Sequence, residues 1–102
     1  MIQVVAVITA KPGQRAHILE AFRANTPAVH AEVGCVEYTA VIDALGIGSF
    51  QAKIGDDTFM VIEKWESAEA LAAHAKSPHM AAYGAKTKEF IANRAVHVLS
   101  AA

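Results

Sequence analysis

Within the stretch Phe59 to Met80, FMVIEKWESAEALAAHAKSPHM, two histidines, His74 and His79, follow shortly after a carboxylate, Glu63, and an indole, Trp65. An unperturbed imidazole titrates near neutral pH and needs little tuning to accept a proton, so His74 is the first candidate for a base and His79 the second. Phe59, Trp65 and Tyr83 offer flat faces on which an aromatic molecule could stack, and Met80 can adapt to its outline. Tyr38 and Glu63 add a phenol and a carboxylate that can hydrogen-bond, and Glu63 could orient a histidine. The chemistry these types suit is proton transfer. Helical spacing also makes Met80, Tyr83 and Phe90 natural packing residues, and Trp65 could equally anchor a core.

The elements that must position these groups follow from periodicity. Phe59, Val61, Glu63 and Trp65 alternate along one face of a strand over residues 58–66, with Met60, Ile62 and Lys64 on the other. Ser67 is an N-cap, Glu69 favours the first turn, and Leu71, His74 and Ala75 share a face of a helix over 67–76. Ser77-Pro78 restarts a second helix that runs to about Asn93, and 95–100 forms the last strand. Upstream, residues 2–10 form a strand with two largely apolar faces. Lys11-Pro12-Gly13 turns into a helix striped by Ile18, Leu19, Phe22 and Val29, with a kink or restart expected at Thr26-Pro27. Val36, Tyr38, Ala40 and Ile42 line one face of a second strand, and Ser49 to Ile54 is read as a short further strand. Strand, helix, strand, strand, helix, strand is the split βαβ arrangement: an α+β fold with an antiparallel sheet and both helices on one face. Val5, Val7, Met60 and Ile62 would then lie on the uncovered face, which predicts a homodimer paired through its sheets.

Composition narrows the classes. The 102 residues suit one domain, and 54% hydrophobic against 19% charged residues is rich enough to imply apolar surface that self-association would hide. Nine basic and ten acidic residues, with no basic run, argue against nucleic acid and against anionic lipid as partners. No apolar run reaches transmembrane length and the N-terminus opens directly on strand-like residues, so a cytoplasmic location is expected. Cys35 is read as a small core residue, and His17, His30 and His97 share no helix face or strand, so no metal site is expected.

The marks Glu63-Lys64-Trp65-Glu66, Ala70-Leu71-x-x-His74, Ser77-Pro78-His79-Met80, Lys11-Pro12-Gly13 and Glu32-x-Gly34-Cys35 resemble the antibiotic biosynthesis monooxygenase family along nearly the whole chain. Val41-Ile42-Asp43 followed by Ser49-Phe50-Gln51 is most similar to its bacterial quinol monooxygenase branch. The resemblance implies a dimeric ferredoxin-like α+β barrel. It also implies oxygen chemistry on quinols or other phenolic polycycles, with a small aromatic substrate and dioxygen as partners and no metal or flavin cofactor. Haem-degrading relatives carry an asparagine in the first strand, a tryptophan in place of His74 and an axial histidine further on. This chain has Val7 and Gly84 near the first and last of those positions, which disfavours haem degradation. Two other readings share the same residues: a dimer that holds an aromatic metabolite without converting it, and a proton-shuttling isomerase.

Overall fold

The computed structural model describes residues 1–102. Its elements run β1 (Ile2–Ala10), α1 (Arg15–His30), β2 (Cys35–Val41), β3 (Thr58–Trp65), α2 (Ala68–Ala75), α3 (Pro78–Thr87), a 3-10 turn at Lys88–Phe90, and β4 (Ile91–Leu99). The four strands form one antiparallel sheet in the order β2-β3-β1-β4, the ferredoxin-like α+β arrangement that the alternation of periods predicts. No helix is long and apolar enough to cross a membrane.

One face of the sheet and one stripe of α1 build the core. Val4, Ala6, Ile8 and Ala10 of β1, Phe59, Val61 and Trp65 of β3, and Tyr38 of β2 pack with Ile18, Phe22 and Val29 of α1. On the other face Val5, Val7, Met60 and Ile62 remain only half-buried, with no element laid over them. The register of β4 puts Arg94, Val96 and Val98 opposite Ile8, Ala6 and Val4, on the helix side, yet Val96 and Val98 stay 50% and 57% exposed. The helices thus cover the β2/β3 half of the sheet and leave the β4 half open.

The structure departs from the sequence reading at four places. No strand forms over 49–54: Gly48 (φ 129) and Gly55 (φ 99) bracket the run in backbone that a regular ladder does not use. Asp43 closes this loop instead, accepting from the amides of Ile54 (3.0 Å) and Gly55 (2.9 Å), and those two bonds hold its carboxyl below the usual carboxylate range. Helix α3 stops at Thr87 rather than near Asn93, because Ile91 pairs with Ala10 and the Lys11 amide donates to the Phe90 carbonyl (2.8 Å). Helix α1 continues through Pro27 without a restart, and the Thr26 hydroxyl bonds back to the Phe22 carbonyl (2.9 Å) instead of capping forward. Val36 does not share a face with Tyr38. A bulge between Cys35 and Glu37 turns Val36 outward, 50% exposed, and brings Cys35 opposite Trp65 on the helix side.

The turn from α1 into β2 is held by Gly34, at φ +85, whose carbonyl accepts from the Glu66 amide at 2.9 Å. A Cβ there would sit 2.6 Å from the Cβ of Ala70 in α2, whereas at Gly13, φ +77, it would meet nothing within 4 Å. Gly34→Ala should therefore lower stability by about 2 kcal/mol or more, roughly 10 °C in Tm, and clearly more than Gly13→Ala, which carries only the left-handed strain. Thermal unfolding by circular dichroism checks this. Equal losses for the two variants would remove the close approach to Ala70 from the account.

Candidate functional site

A cavity of about 650 Å³ opens between the uncovered half of the sheet and the helices α2 and α3. Its floor is Val4, Ala6, Ile8 and Val61, its far wall Leu71, Ala75, Met80 and Gly84, and its polar groups include Tyr38, Glu63, His74, Tyr83, Lys88 and Arg94. Small residues on the lining side make the room.

Each polar group is positioned by local chemistry. Ser67 caps α2 by accepting from the Ala70 amide (3.1 Å), and α2 carries His74 on its inward face, 5% exposed. Ser77 caps α3, accepting from the Met80 amide (3.3 Å), with Pro78 in the first turn. The His74 ring lies against the indole of Trp65 (centroids 4.6 Å apart) and near the ring of Tyr38 (5.4 Å). Its Nδ1 is 2.8 Å from Glu32 Oε2. The same carboxylate oxygen is 2.8 Å from His79 Nε2, which also lies 3.2 Å from the Ser77 hydroxyl. A carboxylate can only accept, so both imidazole nitrogens donate to it. In the neutral ring that puts the His74 proton on Nδ1 and leaves the lone pair on Nε2. No buried side-chain nitrogen or oxygen lacks a partner, so Nε2, which has none in the protein, is not sealed off, and the His74 side chain lines the cavity.

Glu63 behaves differently from the expectation that it orients a histidine. Its Oε1 accepts from the Trp65 indole N–H at 2.9 Å, and it is Glu32 that orients His74. Burial pushes the Glu63 carboxyl above its ordinary value, against the opposing pull of the Trp65 N–H and of nearby His74. Burial likewise raises the Tyr38 phenol well above its usual range and Tyr83 to about 12, so both remain neutral donors at physiological pH. Tyr38 is stacked on Phe22 (4.9 Å), and its hydroxyl points toward the Met80 sulfur (4.0 Å), which also accepts from Asn25 (3.3 Å).

The cavity brings together five of the residues singled out from sequence: Tyr38, Glu63, His74, Met80 and Tyr83. Three others stand off it. Phe59 is completely buried, edge-on to Phe22, and Trp65 is completely buried behind His74, so neither offers a face to a ligand. His79 lies at the rim, on Glu32. His97 pairs with Val5 and faces the opposite side of the sheet, His17 stacks on Phe90 (4.9 Å), and His30 donates to the Tyr38 carbonyl (3.1 Å). Burial, reinforced by Glu32 and Glu63, raises the Cys35 thiol, which argues against a reactive thiolate.

Glu32 is the residue the sequence reading missed. With His74 and His79 it forms a group whose ligand atoms all lie within 4.8 Å of one another, a set of donors that the comparison of His17, His30 and His97 did not include. The motif Glu32-x-Gly34-Cys35 was visible, but the signal for its role lies 42 positions away at His74.

Comparison with known proteins agrees with this architecture. A family model described as antibiotic biosynthesis monooxygenase matches residues 1–86. A probable quinol monooxygenase of Escherichia coli, YgiN, is 36% identical over 101 residues, covering 97% of this chain and 96% of that protein. The structure of Rv0793 from Mycobacterium tuberculosis superposes with a TM-score of 0.80 at 26% identity, over 99% of this chain and 94% of that one. PA3566 from Pseudomonas aeruginosa shares the fold at a TM-score of 0.81 and 24% identity, over 99% and 93% of the two chains. By the family match and the extent of the likeness to YgiN, the chain belongs to the antibiotic biosynthesis monooxygenase family.

Proposed function

We propose that this protein oxidises a quinol or a related phenolic polycycle with dioxygen, using His74 as the base. The observation that carries the reading is the His74 imidazole itself: its Nδ1 is held by Glu32, and its ring lines a mostly apolar cavity. A phenol reduces dioxygen poorly, whereas its anion is electron-rich enough to pass electrons to oxygen directly, so removal of one proton in a dry pocket is the main demand on the protein. An aromatic diol with one open ring position and one O₂ yield a hydroxyquinone and water. The substrate supplies all four electrons, one oxygen atom enters the ring and the other leaves as water. Tyr38 and Tyr83, both kept neutral by burial, would donate to the ring oxygens, and Met80 would pack against the ring edge. Glu63, raised by burial, would return a proton to the reduced oxygen.

The working form in this proposal is a homodimer. Val5, Val7, Met60 and Ile62 form an apolar strip on the face away from the helices, and pairing two such faces would remove it from water at roughly 25 cal/mol per Å² of apolar area. Light scattering at micromolar concentration should report twice the 10.8 kDa of one chain, and Ile62→Lys should shift the mass toward a single chain. A parent protein that is already monomeric at that concentration would end this part of the proposal.

Oxygen uptake with menadiol tests the activity. The parent should exceed autoxidation, and His74→Ala should lower uptake by about a hundredfold or more, the usual worth of a positioned base. Uptake no faster than autoxidation, together with saturable menadiol binding, would favour a carrier instead. The Glu63 environment makes a separate forecast. Its carboxyl is raised in the fold, so ionising it costs stability once pH exceeds the ordinary carboxylate value, and no cost remains where both folded and unfolded forms are protonated. Glu63→Gln keeps an oxygen for the Trp65 N–H and should raise Tm by a few degrees at pH 7, with the gain vanishing near pH 4. A gain of the same size at both pH values would mean that burial of the charge is not its source.

A further inference from the structure

We propose that Glu32, His74 and His79 bind a divalent transition-metal ion, zinc or a close neighbour, and that the ion silences His74 as a base. The second half rests on the role of His74 proposed above; the first half stands without it.

The donor set is two imidazoles and one carboxylate, contributed by the turn after α1, by α2 and by the first turn of α3. Imidazole with carboxylate suits zinc, cobalt or nickel and does not suit magnesium or calcium, which take oxygen. At metal–ligand lengths of about 2.0–2.1 Å, tetrahedral ligand atoms sit roughly 3.3 Å apart. Here Glu32 Oε2 lies 2.8 Å from each imidazole nitrogen, and the whole set lies within 4.8 Å, so seating an ion moves the carboxylate oxygen out by about half an ångström and draws the two imidazole nitrogens toward each other. Access and shielding are both suitable: the side chains of His74, Glu32 and His79 are 6%, 13% and 28% exposed. Three protein ligands leave a fourth position for water, and the Ser77 hydroxyl lies 3.2 Å from His79 Nε2.

The effect on His74 follows from its one proton. In the metal-free protein that proton sits on Nδ1, in the bond to Glu32. An ion taking the Nδ1 lone pair requires the proton to move to Nε2, the cavity side, so the neutral ring now presents a donor where it had presented an acceptor. His79 makes the equivalent exchange, from Nε2 to Nδ1. No electron transfer is involved, and the ion is removed by a chelator.

Tag-free, chelator-treated protein titrated with Co²⁺ tests the site. One equivalent should produce visible absorption of low-coordinate cobalt and should quench the single tryptophan, Trp65, whose ring is 4.6 Å from that of His74. Zn²⁺ should reverse both signals by displacement. Glu32→Gln and His79→Ala should weaken binding at least about tenfold while remaining folded by circular dichroism, and His97→Ala, on the far face of the sheet, should bind as the parent does. Absence of saturable one-to-one binding, or equal affinity in all the variants, overturns the site. Saturating Zn²⁺ should suppress menadiol-dependent oxygen uptake severalfold and a chelator should restore it; unchanged or faster uptake with the ion bound overturns the silencing. Protein that binds the ion but takes up no oxygen in either state upholds the site and instead defeats the role given to His74.

Discussion

A single carboxylate oxygen, Glu32 Oε2, ties three segments that are far apart in the chain. It accepts from His74 in α2 and His79 in α3 while itself standing just beyond α1. Charge-assisted bonds of this length are about twice as strong as neutral ones, and shielding from solvent keeps them from being exchanged for water. The tie sets the height of α2 over the sheet, and with it the wall of the cavity. Its geometry depends on the turn at Gly34, where the backbone passes so close to Ala70 that no side chain fits. Cap, turn and carboxylate thus act together on one imidazole. Without Glu32 the ring would have no fixed tautomer, and its cavity-side nitrogen no defined character.

The cavity exists because the core is unevenly distributed across the sheet. Phe22, Phe59 and Trp65 fill the space under α1 and between β2 and β3. On the other half the corresponding positions are Ala6, Ala75 and Gly84, too small to close the gap, and β4 leaves Val96 and Val98 open. The fold thereby gives up apolar contact that larger residues would supply, at about 25 cal/mol per Å². Local rules followed everywhere except at one concave face are a common signature of a site. Burial around the same cavity raises the Tyr38 and Tyr83 phenols and the Glu63 carboxyl. Packing and electrostatics here have one cause.

What could be read from the sequence was whatever local periodicity encodes. β1 over Ile2–Ala10, β3 over Thr58–Trp65 and the caps Ser67 and Ser77 emerge from alternation and cap chemistry alone, because each is decided within a few residues. The end of α3 did not emerge, since helical spacing continues through Phe90 and Ile91, and only pairing with Ala10 turns those residues into strand. The bulge at Val36 was equally hidden, because it exchanges which residues face inward without changing their types. In the site, the histidines and tyrosines declared themselves by type. Phe59 and Trp65 did not declare their depth: sharing a strand face with Glu63 says which way they point, not whether a helix lies over them. Glu32 was beyond reach for a further reason, since its significance is a contact across the fold rather than a property of its neighbours.

The two carboxylates show how burial separates roles. Glu32 receives two N–H donors near the rim and serves to orient. Glu63 receives one, from Trp65, and lies where burial favours its protonated form. In the proposed reaction two kinds of proton movement are needed: one group must take a proton from a phenol, and another must deliver protons to reduced oxygen. A free imidazole nitrogen suits the first. A carboxyl raised by its surroundings suits the second, because it can carry a proton at a pH where an exposed glutamate would have lost it. Trp65 links the two, lying under the ring of His74 while donating to Glu63, so a displacement of that one indole would disturb acceptor and donor together. Its complete burial is better explained by this supporting position than by stacking on a substrate.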